Sequence, residues 1–443
     1  MRFFVIKPAS RVQGKVILPG DKSIASRLLI ISALSQGKTI IDNFPAGQDC
    51  LATLSILRAL NIPITLNLKA NKAVVCGRLL RGFKKPDGPV FVSDSGTTLR
   101  LMLGVLAGQD FTTRLVAGRS LSRRPMRRVT EPLRMMGAAI KAKVKKKKAK
   151  TEEYPPIIIK GTNLKAITYK MPVASAQVKS AILLAGLYAK GVTQIIEPVK
   201  TRDHTERMLR LFGADLKIKQ NKIFIREAKE LVSPGRIYIP GDISSAGFFM
   251  VLAAILPGSQ ITLKNIGLNP TRSGVIRVLL RMGADIRIKE ASAGGCGFEP
   301  MGDIVIKSSR LKSTTVKEDE IPSLIDELPI LMVVSCYAAG KTVFEGVGEL
   351  RVKETDRINS LVTNLRKMGA KLNIVKAAGS ENIVIEGVAQ LKGAKVRSFG
   401  DHRTAMSMVV AGMCAQGASA IDDVDCISKS FPGFLSTLKK LIP

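Results

Sequence analysis

The amino-acid sequence predicts an α/β protein of two pseudo-symmetric lobes. One observation is a repeat, since six apolar helices each end in a glycine turn, at Gly37, Gly108, Gly191, Gly258, Gly340 and Gly417. A second is a repeated motif, since Pro19-Gly20-Asp21 occurs again as Pro240-Gly241-Asp242. The spacing of 221 residues from Gly20 to Gly241 is half of the 443-residue chain. Such a repeat indicates one supersecondary unit copied several times, here three times in each half.

Each unit reads as a strand, a helix, a strand, a second helix and a pair of strands. The second helices close with a Leu-x-x-x-Gly phrase at 57–61 (with asparagine in place of glycine), 133–137, 209–213, 279–283 and 365–369, and a worn sixth copy covers 434–441. In the third unit, Gln220-Asn221 predicts the turn between two alternating strands. Alternating strands and helices predict an α/β architecture in which helices cover sheets.

The first helix of each unit is almost wholly apolar after its first turn, as over 99–107 and 406–413. A helix that is hydrophobic on all sides is buried. Three such helices per half predict a central helix bundle surrounded by sheet, an inside-out α/β barrel. The repeated Pro-Gly-Asp motif predicts hinge crossovers near Gly20 and Gly241, so residues 1–20 and 241–443 form the lobe with both termini and residues 21–240 form the second lobe.

Composition excludes several classes of protein. The 443 residues, 46% of them hydrophobic, suffice for two domains with two cores. No signal peptide is visible and the apolar helices are about half the ~20 residues that span a bilayer, which predicts a cytoplasmic protein with no membrane partner. Six cysteines without a Cys-x-x-Cys pair favour buried thiols. With only His204 and His402, a multi-histidine metal site is excluded, and we expect no metal and no cofactor.

The formal charge of +34 has two interpretations. A basic surface gives salt-dependent affinity for nucleic acid, whereas a positive cleft attracts a small polyanionic substrate. The densest run, 141–150, has seven lysines and no acid, and it lies between two strand-like stretches. It therefore resembles the solvated tip of a hairpin, and the lack of interleaved aromatic residues disfavours single-strand binding, so no nucleic-acid partner is expected.

The starts of the buried helices are where the six copies differ. They read Asp21-Lys22-Ser23, Ser95-Gly96-Thr97, Ser175-Ala176-Gln177, Ser244-Ser245, Asp326-Glu327 and Asp401-His402-Arg403. One interpretation is helix capping by Ser and Asp. The other is that these helix N-termini bind phosphate or carboxylate groups, because their N–H groups and positive dipole ends favour anions. Basic side chains at Arg27, Arg124, Lys353 and Arg357 favour anion binding.

Five motifs in chain order resemble the 5-enolpyruvylshikimate-3-phosphate synthase family. They are Pro19-Gly20-Asp21-Lys22-Ser23, Gly96-Thr97, Arg124-Pro125-Met126, Lys353-Glu354-Thr355-Asp356-Arg357 and Asp401-His402-Arg403. The resemblance implies two lobes of three βαβαββ units that close over substrates in the inter-lobe cleft. It also implies transfer of the enolpyruvyl group of phosphoenolpyruvate to the 5-hydroxyl of shikimate 3-phosphate, in aromatic amino-acid biosynthesis, by a monomer.

The resemblance also implies the roles of individual residues. Shikimate 3-phosphate would be bound by Lys22, Ser23, Arg27, Ser175, Ala176, Gln177, Arg202, Asp326 and Lys353. Phosphoenolpyruvate would be bound by Lys22, Gly96, Arg124, Gln177, Arg357, Arg403 and Lys429. For the addition–elimination chemistry, Asp326 would accept a proton from the hydroxyl and Glu354 would donate one to the methylene carbon, while Lys22 could share either role. The residues alone equally allow Glu354 to form an ion pair.

Some positions depart from the family pattern. The loop usually written Asn-Ala-Gly-Thr reads Asp94-Ser95-Gly96-Thr97, where Asp94 is expected to cap its helix or to pair with an arginine. Four motifs match the second class of the family, Gly20-Asp21-Lys22, Ser175-Ala176-Gln177-Val178-Lys179, Arg202-Asp203-His204-Thr205-Glu206 and Asn269-Pro270-Thr271-Arg272. That class often tolerates glyphosate, a competitor of phosphoenolpyruvate, so glyphosate is a possible inhibitor whose potency stays open.

Three other functions are alternatives. A UDP-N-acetylglucosamine enolpyruvyl transferase shares the fold but uses a loop cysteine in many members, and no cysteine lies between Cys76 and Cys296. An RNA 3′-phosphate cyclase or a basic nucleic-acid-binding protein would account for the charge. Both would leave the set of arginines suited to carboxylates unexplained.

Overall fold

The computed structural model describes residues 3–147, 150–290, 298–377 and 380–443. The chain divides into two compact units. The terminal unit comprises Met1–Asp21, Pro240–Gly294 and Pro300–Pro443, and the central unit comprises Lys22–Ile239 and Gly295–Glu299. Phe298 and Glu299 thus group with the central unit, although the sequence places all of 241–443 in the other lobe. The reason is local, because the Phe298 ring is buried in the central core and Glu299 Oε1 lies 2.6 Å from His204 Nδ1.

The helices and strands of the described residues follow in chain order. Helices α1 to α12 are Lys22–Leu34, Gln48–Ala59, Gly96–Leu106, Arg127–Met135, Ala176–Gly186, His204–Leu211, Ile243–Ile255, Gly274–Arg281, Leu328–Ser335, Arg357–Lys367, His402–Cys414 and Phe434–Lys439. Strands β1 to β23 are Phe4–Ile6, Gln13–Ile17, Lys38–Asp42, Ile64–Asn67, Lys72–Cys76, Val90–Phe91, Thr112–Val116, Ala139–Lys147, Lys150–Lys160, Thr168–Lys170, Val192–Ile196, Leu216–Lys219, Lys222–Arg226, Arg236–Tyr238, Gln260–Gly267, Asp285–Glu290, Met301–Lys307, Thr315–Val316, Lys341–Phe344, Lys371–Ala377, Ser380–Glu386, Lys395–Val396 and Ser419–Ile421.

Five four-stranded sheets share one topology. In the central unit the orders are β14-β3-β5-β4, β6-β7-β9-β8 and β10-β11-β13-β12. In the terminal unit they are β2-β15-β17-β16 and β18-β19-β21-β20. In each sheet the first pair is parallel and the other two pairs are antiparallel. This is the βαβαββ pattern, with the hairpin at the end of each unit forming the last two strands, and the predicted α/β fold class is confirmed.

The sixth sheet is completed by the N-terminus of the chain. Its order is β1-β23-β22, with β22 parallel and β1 antiparallel to β23. Strand β1 therefore takes the place of the missing hairpin strand in the worn sixth copy. Near the predicted crossovers, Gly20 and Gly241 form an antiparallel bridge, and Asp21 N donates to Pro240 O at 2.8 Å.

Each unit has its own hydrophobic core around the first helices of its repeats. In the central unit α3 packs against α1 and α5, and in the terminal unit α7, α9 and α11 pack against one another. Nearly every residue of these six helices is buried, as their all-round apolar sequences predict. No helix among the described residues is long and apolar enough to cross a membrane.

Backbone conformation explains most of the repeated glycines. Gly37, Gly191, Gly258, Gly340 and Gly417 have φ between 69° and 105°, a region that side chains other than glycine rarely adopt. Gly108 differs, because close packing requires it, and a Cβ there would lie 2.2 Å from Cγ of Tyr188. Asn61, which replaces the glycine after the second helix, has φ 65°. Asparagine is among the few residues that tolerate this conformation.

The lysine-rich run 141–150 belongs to the β8–β9 hairpin. Strands β8 and β9 are antiparallel, and Lys141, Lys143, Lys145 and Lys146 are exposed. A solvated hairpin is therefore confirmed as far as the structure describes it, because residues 148 and 149 lie outside the described residues. Cys50, Cys336, Cys414 and Cys426 are buried, Cys76 is exposed, and no disulfide joins these five; Cys296 lies outside the described residues.

Candidate active site

Capping accounts for part of the polarity at the helix starts. Ser95 Oγ accepts from Thr98 N at the start of α3, and Ser175 Oγ accepts from Val178 N at the start of α5. Asp401 Oδ1 accepts from the backbone N–H groups of Arg403 and Thr404. The cap of α7 is Asp242, which accepts from Ser244 N, so Ser244 keeps its hydroxyl for another contact.

A buried arginine organises the start of α1. Arg27 Nη1 donates to Ser23 O at 3.0 Å, and the other two nitrogens of its guanidinium donate to Thr205 Oγ1 and Ser180 Oγ. Arg202 Nη1 donates to Ser23 Oγ at 3.2 Å. Two positive charges thus lie at a helix N-terminus, an arrangement that suits a phosphate group.

A second cluster of the central unit surrounds the N-terminus of α3. Arg100 Nη1 donates to Gln177 Oε1 at 2.7 Å, and Gln177 Nε2 donates to Thr97 Oγ1 at 2.9 Å. A Cβ on Gly96 would lie 2.7 Å from the Nη1 atoms of both Arg100 and Arg124. Gly96 is therefore glycine because two guanidinium groups approach its backbone closely, which makes this helix start a second place for an anion.

Lys22 has an acidic contact that the sequence did not predict. Its Nζ lies 2.7 Å from Asp49 Oδ2, and both side chains are mostly buried. Asp49 lies on α2, in the next helix of the same repeat. The ammonium is thus fixed at the first turn of α1 by a carboxylate from a neighbouring element.

In the terminal unit, Asp326 lies among arginines. Its carboxylate oxygens are 3.5 Å from Arg357 Nη1 and 3.6 Å from Arg403 Nη2, and its carbonyl oxygen accepts from Arg403 Nη1 at 2.8 Å. The side chain is 17% exposed. Asp326 is thus a partly buried carboxylate, kept accessible and close to two cations.

Arg357 connects Asp326 with Glu354. Arg357 Nη2 donates to Glu354 Oε2 at 2.6 Å, and Arg357 Nε donates to the helix-capping Asp401 at 2.8 Å. Burial lowers the pKa of this guanidinium, but Asp401, Glu354 and Asp326 outweigh burial and raise that pKa above its usual value. The ion pair of Glu354 that the sequence allowed is therefore present.

The two remaining basic residues of this set lie in separate segments. Lys353 is half-buried and follows the short 3-10 helix Val347–Val352. Lys429 ends another 3-10 helix, Asp425–Lys429, and its Nζ donates to Gly400 O at 3.2 Å. That carbonyl directly precedes Asp401, so Lys429 lies near the helix start that carries Arg403.

Two motifs of the second class correspond to a buried ion cluster. Lys179 Nζ lies 2.6 Å from Glu206 Oε1 and 3.1 Å from Glu197 Oε1, and all three side chains are fully buried. Burial raises the pKa of Glu206, although Lys179 opposes it. The cluster joins α5, which begins beside Ser175, to the loop that carries Arg202.

Asp94 takes neither of its expected roles. Its Oδ1 accepts from Leu121 N at 2.8 Å, at the start of the 3-10 helix Leu121–Arg123. It thus caps a helix other than its own, because the segment before Arg124 folds back over the loop. This contact holds the segment that carries Arg124.

The sequence did not predict the contacts made by several charged residues around the site, namely Asp49, Arg100, Lys179, Glu197, Arg272 and Glu327. Arg100 and Lys179 had a detectable signal, because each is a charged residue within an otherwise apolar, buried helix. A charge in such a position needs a partner. Asp49 gave no signal, because an acidic residue in the first turn of a helix is common.

Fold and residues together define a class of protein: an α/β enzyme for small polyanionic substrates, with arginines at helix starts that suit anions and carboxylates that suit proton transfer. The sequence profile of EPSP synthase (3-phosphoshikimate 1-carboxyvinyltransferase) matches residues 6–438. The chain belongs to the EPSP synthase family.

Individual relatives agree with this assignment. The 3-phosphoshikimate 1-carboxyvinyltransferase of Desulforamulus reducens is 45% identical over 438 residues, which cover 99% of each chain. That of Bacillus licheniformis is 43% identical over 98% of each chain. The solved structure of EPSP synthase from Acinetobacter baumannii superposes with a TM-score of 0.86 at 40% identity, over 100% of this chain and 98% of that chain.

Proposed function

We propose that the chain transfers the enolpyruvyl group of phosphoenolpyruvate to the 5-hydroxyl of shikimate 3-phosphate, with release of phosphate, on the pathway to chorismate. The observation that carries the proposal is Asp326, an accessible carboxylate 3.5 Å from Arg357 and 3.6 Å from Arg403, in a chain of this family. The arginines suit the anions of phosphoenolpyruvate, and the carboxylate suits a hydroxyl that must lose its proton.

In this proposal, shikimate 3-phosphate binds mainly at the starts of α1 and α5. Arg27 and Arg202 each contact Ser23 at the start of α1, and the three residues provide two cations and a hydroxyl for the phosphate. The start of α5 contributes the remaining donors, from Ser175, Ala176 and Gln177. Lys353 and Asp326 complete the set.

In this proposal, phosphoenolpyruvate binds to the backbone of Gly96, the guanidinium of Arg124, the amide of Gln177 and the ammonium of Lys22. Further cations come from Arg357, Arg403 and Lys429. Arginine is favoured because its planar fork matches carboxylate and phosphate oxygens.

Proton transfer is assigned to two carboxyl groups and one amine. Asp326 accepts the hydroxyl proton as the oxygen adds to phosphoenolpyruvate, and Glu354 protonates the methylene carbon. Lys22 can assist at either position. Loss of a proton from the resulting methyl group and of phosphate then restores the double bond in the product.

Arg357 also contacts the proposed proton donor. Its Nη2 donates to Glu354 Oε2 at 2.6 Å. A phosphoenolpyruvate anion bound at Arg357 competes for the same N–H group. Substrate binding therefore loosens the contact between Arg357 and the carboxyl group that is to transfer a proton.

A phosphate-release assay tests the proposal. The purified chain is incubated with both substrates, and then with each substrate omitted in turn. Phosphate release that requires both substrates is expected. Release from phosphoenolpyruvate alone, or only with UDP-N-acetylglucosamine as the acceptor, would contradict the proposal, as would activity that depends on nucleic acid.

The proposal also covers finer properties. The chain acts as a cytoplasmic monomer, and it tolerates glyphosate because it carries the four class motifs. Inhibition at low micromolar glyphosate would contradict the tolerance. A sedimentation velocity experiment that finds a stable dimer would contradict the monomer.

A further inference from the structure

A buried cluster in the terminal unit lies directly beside Asp326. Ser244 Oγ donates to Glu327 Oε1, and Arg272 Nη2 donates to Ser244 Oγ at 2.5 Å and to Glu327 Oε1 at 3.4 Å. Arg272 and Glu327 are almost completely inaccessible to solvent. None of these three residues has a role in the proposed chemistry, although Arg272 is the last residue of a class motif.

The cluster joins three elements that otherwise approach Asp326 separately. Ser244 is in the first turn of α7, Arg272 precedes α8, and Glu327 directly precedes α9. On the other side, Arg403 at the start of α11 donates to the Asp326 carbonyl at 2.8 Å. The backbone at 326–327 is thus held from both sides.

Stability alone does not account for such a cluster. Among the described residues, Nε and Nη1 of Arg272 and Oε2 of Glu327 are buried and have no hydrogen-bond partner. An incompletely satisfied buried ion pair is commonly no more stable than an apolar replacement. Its position beside Asp326 therefore indicates a contribution to the site.

The two halves of the chain share a pair formed by a serine at a helix start and an arginine, but the pair has a different environment in each half. Asp21-Lys22-Ser23 begins α1 and Asp242-Ile243-Ser244 begins α7, and each serine hydroxyl accepts from an arginine, Arg202 or Arg272. At Ser23, the proposed function places a substrate phosphate. At Ser244, the carboxylate of Glu327 already takes the place of an anion.

We propose that Glu327 is an internal anion that fills the Ser244–Arg272 anion site and thereby positions Asp326 for proton abstraction. Glu327 is a positioning residue, since it acts through the backbone of its neighbour. The inference rests on the proposed function, because it assumes that Asp326 is the proton acceptor. It predicts that an external small carboxylate can replace the side chain once that side chain is removed.

The test is chemical rescue of Glu327→Ala by formate. We expect kcat to fall by about 10²-fold, the loss that a misplacement of about 1 Å can cause, while KM for both substrates stays close to that of the unaltered chain. Sodium formate should restore kcat with saturation, whereas sodium chloride at equal ionic strength should not. The matched control is Glu386→Ala, a half-exposed glutamate on β21 paired with Lys371, which should lose no activity and show no formate effect.

Glu327→Gln provides a second variant that preserves side-chain volume. We expect its kcat to fall with KM unchanged and without formate rescue, because the amide still fills the site. An unaltered kcat in Glu327→Gln, or a Glu327→Ala variant that loses activity without any response to formate, would overturn the inference. If the unaltered chain itself releases no phosphate from the two substrates, the proposed function is wrong. That result is distinct from the variant results above, which concern only the positioning role of Glu327.

Discussion

Arg357 shows how single residues set the chemistry of the terminal unit. Its guanidinium contacts Glu354, Asp401 and Asp326, so one buried cation holds the proposed proton donor and the proposed proton acceptor in a common network. Asp401 accepts from this guanidinium with Oδ2 while its Oδ1 caps α11. The residue that caps α11 thus also orients Arg357 at the start of α10, which contacts Asp326 just before α9.

Removing either proposed proton-transfer group should abolish most turnover. We expect Asp326→Asn and Glu354→Gln each to lower kcat by ~10²–10⁴-fold, the usual contribution of a positioned acid or base. Both side chains are partly exposed, so thermal unfolding should change little. Steady-state phosphate release checks this, with Glu386→Gln as the control, and a near-normal kcat in either variant would refute the role of that residue.

Gly96 should tolerate no side chain. A Cβ would lie 2.7 Å from Nη1 of both Arg100 and Arg124, so Gly96→Ala must displace at least one guanidinium. We expect KM for phosphoenolpyruvate to rise by more than about tenfold, the cost of ~1.4 kcal/mol of lost binding. The matched control is Gly88→Ala, since nothing lies within 4 Å of a Cβ at Gly88. Equal KM values for the two variants would contradict this interpretation of the site.

At the residue scale, some contacts of the proposed site residues could be predicted from the sequence and others could not. The sequence allowed an ion pair for Glu354, and in the structure Glu354 forms it with Arg357, three residues along the chain. The contact of Arg100 with Gln177 joins α3 to α5, 77 residues apart. Such a pair depends on helix packing, which no local pattern contains.

At the scale of elements, two helix starts carry buried carboxylates, Asp21 directly before α1 and Asp242 directly before α7. Asp242 and Asp21 are near each other in the terminal unit, and burial, with a further contribution from Asp21, raises the pKa of Asp242 to about 6, although Arg272 and Arg403 oppose the shift. Asp242 caps α7 and has a raised pKa, so the stability of the folded chain should depend on pH.

Asp242→Asn should therefore stabilise the chain above neutral pH. The pKa of Asp242 is raised in the folded state, so the folded chain holds the proton more tightly than the unfolded chain. The resulting stabilisation is complete below about pH 4 and is lost as pH rises through about 6, on the order of 2–3 kcal/mol. Asparagine can still accept the cap hydrogen bond. Melting temperatures from pH 4 to pH 8 should diverge in favour of the variant, and parallel curves would contradict the assignment.

The Lys179 cluster should be a stability determinant of the central unit. Lys179→Met leaves the buried Glu197 and Glu206 without their cation, so we expect a loss of ~3–5 kcal/mol in the free energy of unfolding. Adding Glu206→Gln should recover part of the loss. Urea unfolding measures both variants, with the exposed Lys190→Met as the control. Equal midpoints for Lys179→Met and Lys190→Met would show that the cluster contributes nothing.

Elements were predictable where their signals are local. The turn residue Asn61 and the caps Ser95 and Ser175 lie where the sequence places them. The partner of Asp94 was not predictable, since its carboxylate caps a 3-10 helix 27 residues away. Caps that satisfy their own helix follow from sequence spacing, whereas caps that satisfy a distant segment follow only from tertiary structure.

For the whole molecule, the number of repeats and the α/β class could be predicted from the sequence. Two pairings between strands that are distant in sequence could not. Strand β14 pairs in parallel with β3, and β2 pairs in parallel with β15, so the first sheet of each half takes a strand from a distant part of the chain. Strand β1 likewise completes the last sheet. Three of the six sheets therefore include a strand from a distant part of the chain, so these sheets are complete only in the folded chain.

The identity of the product tests the proposed function most directly. The purified chain is incubated with phosphoenolpyruvate and shikimate 3-phosphate, and the organic products are identified by mass spectrometry and by the phosphorus resonances in NMR. We expect 5-enolpyruvylshikimate 3-phosphate and inorganic phosphate in equal amounts, and a loss of both with Asp326→Asn. Unchanged shikimate 3-phosphate in the presence of folded protein and both substrates would contradict the proposed function.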